Sequence, residues 1–387
     1  MTFSKRLDHF KTGVFTALTE KKNKLEAEGR TLYNLFVGTP DFQPQQSVMD
    51  ALCKAASVPE NYKYSLRDLP EMLDAVVEYY KTRYGVTITP DMITSVNGSQ
   101  EGMGHIGMTL CNPGDVVLLP DPGYPAFEAG AFFGDADIVY YPLVKENDFL
   151  LKIEDIPEDT LKKTKYIVVS YPSNPVGAVA PKELYVKLIE YAKKYDFIII
   201  NDNAYSDIIF DGKEGFSFLS LDGAKDVGFE FFSLSKSFNV TGARISFAIG
   251  NKDIINAFKV IRSQYDFGMF IPVQYAAIEA LKTDRQIILD QCAQYQARRD
   301  ALCGGLRSIG WNVPDSAGTM FVWAPIPENY SNSAQFCDDL IEKAGVVATP
   351  GSAFGPNGEG YVRFALVLPP EELTKVVEAI DKSGILK

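Results

Sequence analysis

The chain has 387 residues, too many for one ordinary domain, and 46% of them are hydrophobic, with 25 Phe and 20 Tyr to fill a core or large interfaces. Against 38 basic residues stand 50 acidic ones, a net charge of −12, which argues against nucleic acid or an anionic membrane as partner, since both require a concentrated basic face. Any anion site must then be assembled locally from a few Arg, Lys and backbone N–H groups.

The cysteines (Cys53, Cys111, Cys292, Cys303, Cys337) are scattered, odd in number and form no C-x-x-C pair. They suit a reducing cytoplasmic compartment and show no metal framework. The amino terminus has no apolar signal core, and no run approaches about 18 uninterrupted apolar residues. With only His9 and His105 present, a histidine triad or a His-rich metal site is not expected, and His105 reads as a packing residue.

In chain order, short apolar β-rich runs at 92–96, 116–119, 138–141, 166–170, 197–201, 230–234 and 245–249 alternate with helical patterns such as 100–110, 125–133 and 181–195. Strands alternating with helices, and continuously apolar, predict an α/β domain with a mainly parallel sheet flanked by helices. Turn chemistry punctuates the units at Asn112-Pro113-Gly114-Asp115 and Asp121-Pro122-Gly123-Tyr124-Pro125. A long helical stretch follows from near 251, and strands at 312–325, 345–348 and 360–366 with a helix at 370–383 predict a smaller α+β domain. The expected division is 41–281 for the large domain and 1–40 with 282–387 for the small one.

Ligands of such sheets sit at the carboxyl ends of the strands, where the polar clusters 170–177, 202–205 and 233–236 fall. In Ser233-Leu234-Ser235-Lys236-Ser237, a lysine just past a buried strand is costly unless its charge is neutralised or used. Burial favours the neutral amine, the form that attacks an aldehyde. Arg244 lies between a glycine-containing turn and an apolar strand, where its guanidinium fork suits a phosphate. A surface Lys and a structural Arg are the plainer alternative. Asp202, at the mouth of an apolar strand, is placed to pair with a protonated pyridine nitrogen. Tyr205 and Asn174 can both donate to a ring oxygen, although an Asn before Pro also starts ordinary turns. Asn97-Gly98-Ser99-Gln100 follows a strand and opens a helix, so its N–H groups and the Ser99 hydroxyl form either a phosphate cradle or a plain N-cap.

With Gly38-Thr39-Pro40-Asp41-Phe42, Ser173-Asn174-Pro175-Val176-Gly177, Asp202-Asn203-Ala204-Tyr205, Ser233 to Arg244 and Tyr361-Val362-Arg363 in this order, the chain resembles the class I/II aminotransferases of pyridoxal 5′-phosphate fold type I along essentially its whole length. Gly223-Ala224-Lys225-Asp226-Val227-Gly228 resembles the diaminopimelate-type branch. The resemblance implies that Lys236 holds the cofactor as an imine and shuttles the substrate proton. It implies that Asp202 faces the pyridine nitrogen, that Asn174 and Tyr205 bond the ring O3′, and that Tyr124 stacks on one ring face with Ala204 leaving room on the other. Ser99, Gln100, Ser233, Ser235 and Arg244 would surround the phosphate, and Arg363 with the Gly38 N–H would take the substrate carboxylate.

A tyrosine from a partner subunit also reaches the phosphate in such enzymes. Tyr64 matches best, in a loop one residue shorter than the family pattern and with Asp68 where Gly is expected, and it implies a homodimer with shared sites. Other departures are Ala243, where Trp often precedes the arginine, and Ser246, where Gly is frequent. The expected activity is ping-pong transfer of an amino group from an α-amino acid to a 2-oxo acid, most often 2-oxoglutarate. The alternatives are a carbon–sulfur β-lyase on the same fold and a cofactor-binding regulatory protein. Arg67 is either a ligand for a distal carboxylate across the dimer or a solvated loop residue.

Overall fold

The computed structural model describes residues 1–8, 10 and 14–387, without the side chains of residues 5, 8, 14 and 15; His9 lies outside the described residues. The chain divides into two compact units, one of Met1–Gly38, Tyr295–Ser316 and Met320–Lys387, the other of Thr39–Gln294 and Ala317–Thr319.

Strand β1 (Tyr33–Asn34) belongs to the smaller unit. The larger unit then contributes β2 (Ile93–Val96), β3 (Val116–Asp121), β4 (Asp137–Pro142), β5 (Thr164–Val169), β6 (Ile198–Asn203), β7 (Gly228–Ser233) and β8 (Ser246–Gly250). They form one sheet in the order β2-β8-β7-β6-β5-β3-β4. Pairs from β4 through β7 are parallel, and β8 runs antiparallel to both β7 and β2. The sheet is therefore mainly parallel, as the continuous apolar runs predict. Alternation of side chains sends Leu118, Ile167, Val169, Ile199 and Phe232 to one core cluster and Val117, Val168, Ile200, Phe229 and Phe231 to another. The inner strands are buried on both faces and read as largely apolar runs, with Asn201, Asn203 and Glu230 as a buried polar group on one face.

The helical stretch after 250 is three helices, Lys252–Arg262, Ile271–Leu281 and Arg285–Ser308. Asn251 caps the first by accepting from the Asp253 and Ile254 N–H groups, and Pro272 opens the second. Gly268, at φ 94°, breaks the chain between them. In the smaller unit, β9 (Phe321–Pro325) is shorter than the sequence suggests, since Pro314 lacks a donor for a ladder. With β10 (Val346–Val347), β11 (Thr349–Pro350) and β12 (Tyr361–Ala365), it completes an antiparallel β11-β12-β9 sheet and a parallel β1-β10 pair. No described helix is long and apolar enough to cross a membrane.

Helix Ser99–Leu110 matters most for the site, because its first turn follows β2. It lies backbone to backbone against helix Ala126–Phe133: a Cβ at Gly107 would overlap the Gly130 carbonyl oxygen, and one at Gly130 would overlap that of Met103. Glycine is needed here for approach. Gly107→Val is expected to cost about 1–3 kcal/mol or more through overpacking, read as a lower melting temperature in thermal denaturation.

Candidate active site

Asp202 sits on the last turn of the pleat of β6, buried, and among the described residues its Oδ1 has no hydrogen-bond partner. Burial pushes its carboxyl up from 3.8 to about 7, against the downward pull of the nearby Lys236 charge. Desolvation wins because a charge in low dielectric loses its water and gains little from one partly solvated neighbour. Such an oxygen is an acceptor waiting for a cationic N–H.

Lys236 lies on the single turn Leu234–Ser237 that follows β7 directly and is half-buried. That turn is tied at several points. The Ser235 N–H donates to the Ser233 hydroxyl at 3.1 Å. Thr241 Oγ1 donates to the Ser235 carbonyl at 3.2 Å and Gln291 Nε2 to the Lys236 carbonyl at 3.0 Å. Gln291 in turn accepts from Asn239 Nδ2 at 2.7 Å. The backbone beneath the lysine is thereby held in place. Tyr205 and Asn174 are buried, Ala204 is half-buried, and the Asn174 loop is closed by the Gly177 N–H donating to the Ser173 carbonyl at 2.7 Å.

A second group of residues has the composition and geometry that suit an anion. Gly98, at φ 86°, caps helix Ser99–Leu110, and a Cβ there would overlap the Arg244 guanidinium. Arg244 itself is exposed, adopts φ 54° and donates from Nη1 to the Thr241 carbonyl at 3.0 Å. Ser99 is the first helical residue and not the cap, and its buried hydroxyl has no hydrogen-bond partner among the described residues. The plain N-cap alternative therefore does not hold. A helix N-terminus, a guanidinium pressed on glycine and an uncommitted hydroxyl suit a phosphate. Gln100 is exposed and accepts the Tyr124 hydroxyl at 3.2 Å, while the Tyr124 ring meets Phe127 edge-on at 5.8 Å.

In the smaller unit, Arg363 is buried at the centre of its sheet. Its guanidinium stacks on Phe321 at 4.1 Å and Phe354 at 4.6 Å, and its Nη2 donates to the Phe36 carbonyl at 2.8 Å. Gly38 lies on the same Phe321 ring, which a Cβ would overlap. Two rings thus fix the plane of a cation made for bidentate contacts.

Sequence reasoning missed several polar residues that shape these loops. Asp68, read only as a departure, accepts the Ser95 N–H at 2.8 Å and the Ser95 hydroxyl at 2.5 Å, and so ties the Tyr64 loop to β2. Glu101 accepts the Asn97 N–H at 3.1 Å and stands 2.8 Å from His105 Nδ1; the His105 ring stacks on Tyr265 at 4.0 Å, a packing role. Asp207, two residues past Tyr205, is clamped by Arg83 at 3.1 Å and Arg285 at 2.5 Å. The one available signal was a charge inside an apolar run. Tyr64 is 78% exposed, its ring 5.1 Å from that of Phe267.

Comparison with known proteins follows the same outline. The family model "Aminotransferase class I and II" matches residues 30–380. The chain belongs to that family. It is 41% identical over 377 residues to the LL-diaminopimelate aminotransferase of Dehalococcoides mccartyi, covering 97% of each chain. Among solved structures, substrate-bound BacF from Bacillus subtilis matches with TM-score 0.95 and 35% identity over 99% of this chain and 98% of that one. An aminotransferase from Staphylococcus aureus matches with TM-score 0.91 and 32% identity over all of both chains. This is thus an aminotransferase, an enzyme of the transferase class, and its family implies pyridoxal phosphate.

The titration of Asp202 has a consequence for the cofactor-free enzyme. Its folded pKa lies above the unfolded one, so between 3.8 and about 7 the folded chain holds the extra proton and stability falls as pH rises. Below that window the cost is absent, and above it the cost is complete, on the order of a few kcal/mol. Asp202→Asn is expected to flatten this slope and to melt higher than the parent above neutral pH, as measured by thermal denaturation across pH.

Proposed function

We propose that this aminotransferase uses pyridoxal 5′-phosphate to move an amino group between an α-amino acid and a 2-oxo acid, with 2-oxoglutarate as the acceptor, by a ping-pong route. The observation that carries the reading is the buried Asp202 oxygen without a partner, set close to the Lys236 charge. When bound, pyridoxal phosphate supplies an aldehyde that condenses with amines and a ring that withdraws electrons from the substrate Cα.

The chain's own residues then have separable tasks. Asp202 holds a proton on the ring nitrogen, which keeps the ring electron-poor and relieves the carboxylate's own burial. Lys236 takes the proton from Cα and returns it, a task for an amine on a flexible stem. Ser99, the helix N-terminus, Ser233, Ser235 and Arg244 hold the phosphate, with Gln100 orienting Tyr124 against the ring. Asn174 and Tyr205 donate to the ring oxygen, and Ala204 leaves space on the face opposite Tyr124. Arg363, with Gly38 beside it on Phe321, orients the substrate carboxylate.

We further propose a cytoplasmic homodimer with shared sites, in which Tyr64 serves the neighbouring phosphate. An aromatic surface supports this: Tyr62 packs on Phe270 at 5.4 Å and Tyr64 on Phe267 at 5.1 Å, with Leu66 beside them 67% exposed. So much apolar surface is unusual on a monomer. Arg67 is exposed and has no ion-pair partner among the described residues, which suits a distal carboxylate of a dicarboxylic donor. Because the curated relatives are named LL-diaminopimelate aminotransferases, that donor heads the panel to test.

Lys236→Ala should lose at least about 10³-fold in turnover, the scale of general acid–base catalysis, and should lose the visible absorption of the bound cofactor. Pyruvate release from cystathionine without any acceptor, in place of acceptor-dependent transfer, would instead identify a β-lyase. For the dimer, Phe267→Asp with Phe270→Asp is expected to give monomers in size-exclusion chromatography and weaker cofactor retention.

A further inference from the structure

Behind Asp202, on the opposite face of the sheet, lies a second carboxylate that the reaction itself does not use. Glu230, on β7, is wholly buried. Its Oε1 accepts from the Tyr80 hydroxyl at 2.7 Å, the Ser217 hydroxyl at 2.7 Å and Asn203 Nδ2 at 3.3 Å. Its Oε2 accepts from Asn201 Nδ2 at 3.2 Å and the Phe218 N–H at 3.1 Å. No cation pairs with it among the described residues. The Tyr185 hydroxyl donates to Asn201 Oδ1 at 2.8 Å and so turns that amide's N–H toward Glu230. An apolar residue would fill the same space without the desolvation cost, so the network has to specify something that packing alone would not.

What it specifies follows from strand geometry. Asn201 and Asn203 are the two chain neighbours of Asp202, and successive side chains on a strand point to opposite faces. Both amides are held by one carboxylate, so the pleat between them is set, and Asp202 is committed to the other face. The tether acts where the β6–β7 ladder ends, since its last registered pair is Asn203 with Phe232. Beyond that pair no ladder bond resists a twist of the strand end, and a slip of one residue would exchange the faces.

We propose that Glu230 is a positioning residue for the cofactor site, holding Asp202 on its axis through Asn201 and Asn203. This rests on the pyridoxal phosphate reading. Glu230 touches neither cofactor nor substrate; it acts only through the end of β6. A glutamine in its place keeps an acceptor for Asn201 and the Phe218 N–H and can donate to the two hydroxyls, but it turns an N–H toward Asn203. Leucine removes every acceptor.

The test uses the full-length holoenzyme and reads cofactor release on dilution, together with the pH midpoint of the bound cofactor's visible absorption. Glu230→Leu is expected to release cofactor about tenfold faster or more, by analogy with the loss seen for outer-shell partners of metal ligands. Its midpoint should move upward, because a ring nitrogen that Asp202 no longer keeps protonated withdraws fewer electrons. Glu230→Gln should fall between the parent and Glu230→Leu. Where Glu230→Leu does not fold, the Asn201→Ala/Asn203→Ala double variant removes the same tethers and leaves Glu230 three donors. Variants that melt lower yet keep the parent's release rate and midpoint would show a purely structural network and overturn the proposal. A parent enzyme with no visible cofactor band would instead defeat the reading of the site on which it rests.

Discussion

A carboxylate held at the end of an apolar strand, out of water and with one oxygen unanswered, is the constraint around which the larger unit is arranged. Left alone, Asp202 weakens the fold at neutral pH, since burial lifts its carboxyl to about 7. The surrounding structure accepts that cost and then limits the ways of escaping it. The strands on either side are buried, the backbone turn of Lys236 is tied by Thr241 and Gln291, and the chain neighbours of Asp202 are anchored on the far face. A site that is poor for water and poor for an isolated anion is a good site for a ring cation.

The end proposed to hold the phosphate is built on another principle. There the chain offers backbone and a single side-chain charge: Gly98 admits the Arg244 guanidinium into contact with the helix start, and Gly107 and Gly130 let that helix lie against its neighbour. The overall charge of −12 makes such local construction necessary. A field of lysines would compete with the acidic surface, whereas a helix N-terminus with one arginine needs no support from the rest of the molecule. In the smaller unit Arg363 follows similar logic, its plane set by Phe321 and Phe354 and not by a lattice of charges.

Several departures from the family pattern become intelligible in three dimensions. Asp68, in place of a glycine, is a strut between the Tyr64 loop and β2. Ala243, in place of tryptophan, packs at the edge of the main core. Ser246 is buried, with its hydroxyl unsatisfied among the described residues, and nothing in the structure explains the choice.

Residue order alone determined the strand–helix alternation and the mainly parallel sheet, and it singled out Lys236, Asp202 and Arg244 as candidates, because apolar periodicity and a charge at a strand end are local signals; Arg363 was singled out only by resemblance to the family. The single helical stretch read after 250 was too coarse, since caps and a positive φ act over two or three residues. Only the tertiary structure decided that Ser99 is not a cap, that Gly107 and Gly130 touch, and that Glu230, Asn201 and Asn203 form one network. Those facts depend on which face a side chain takes and on what lies across from it. Strand pairing between segments distant in the chain sets both, and no spacing along one segment encodes them.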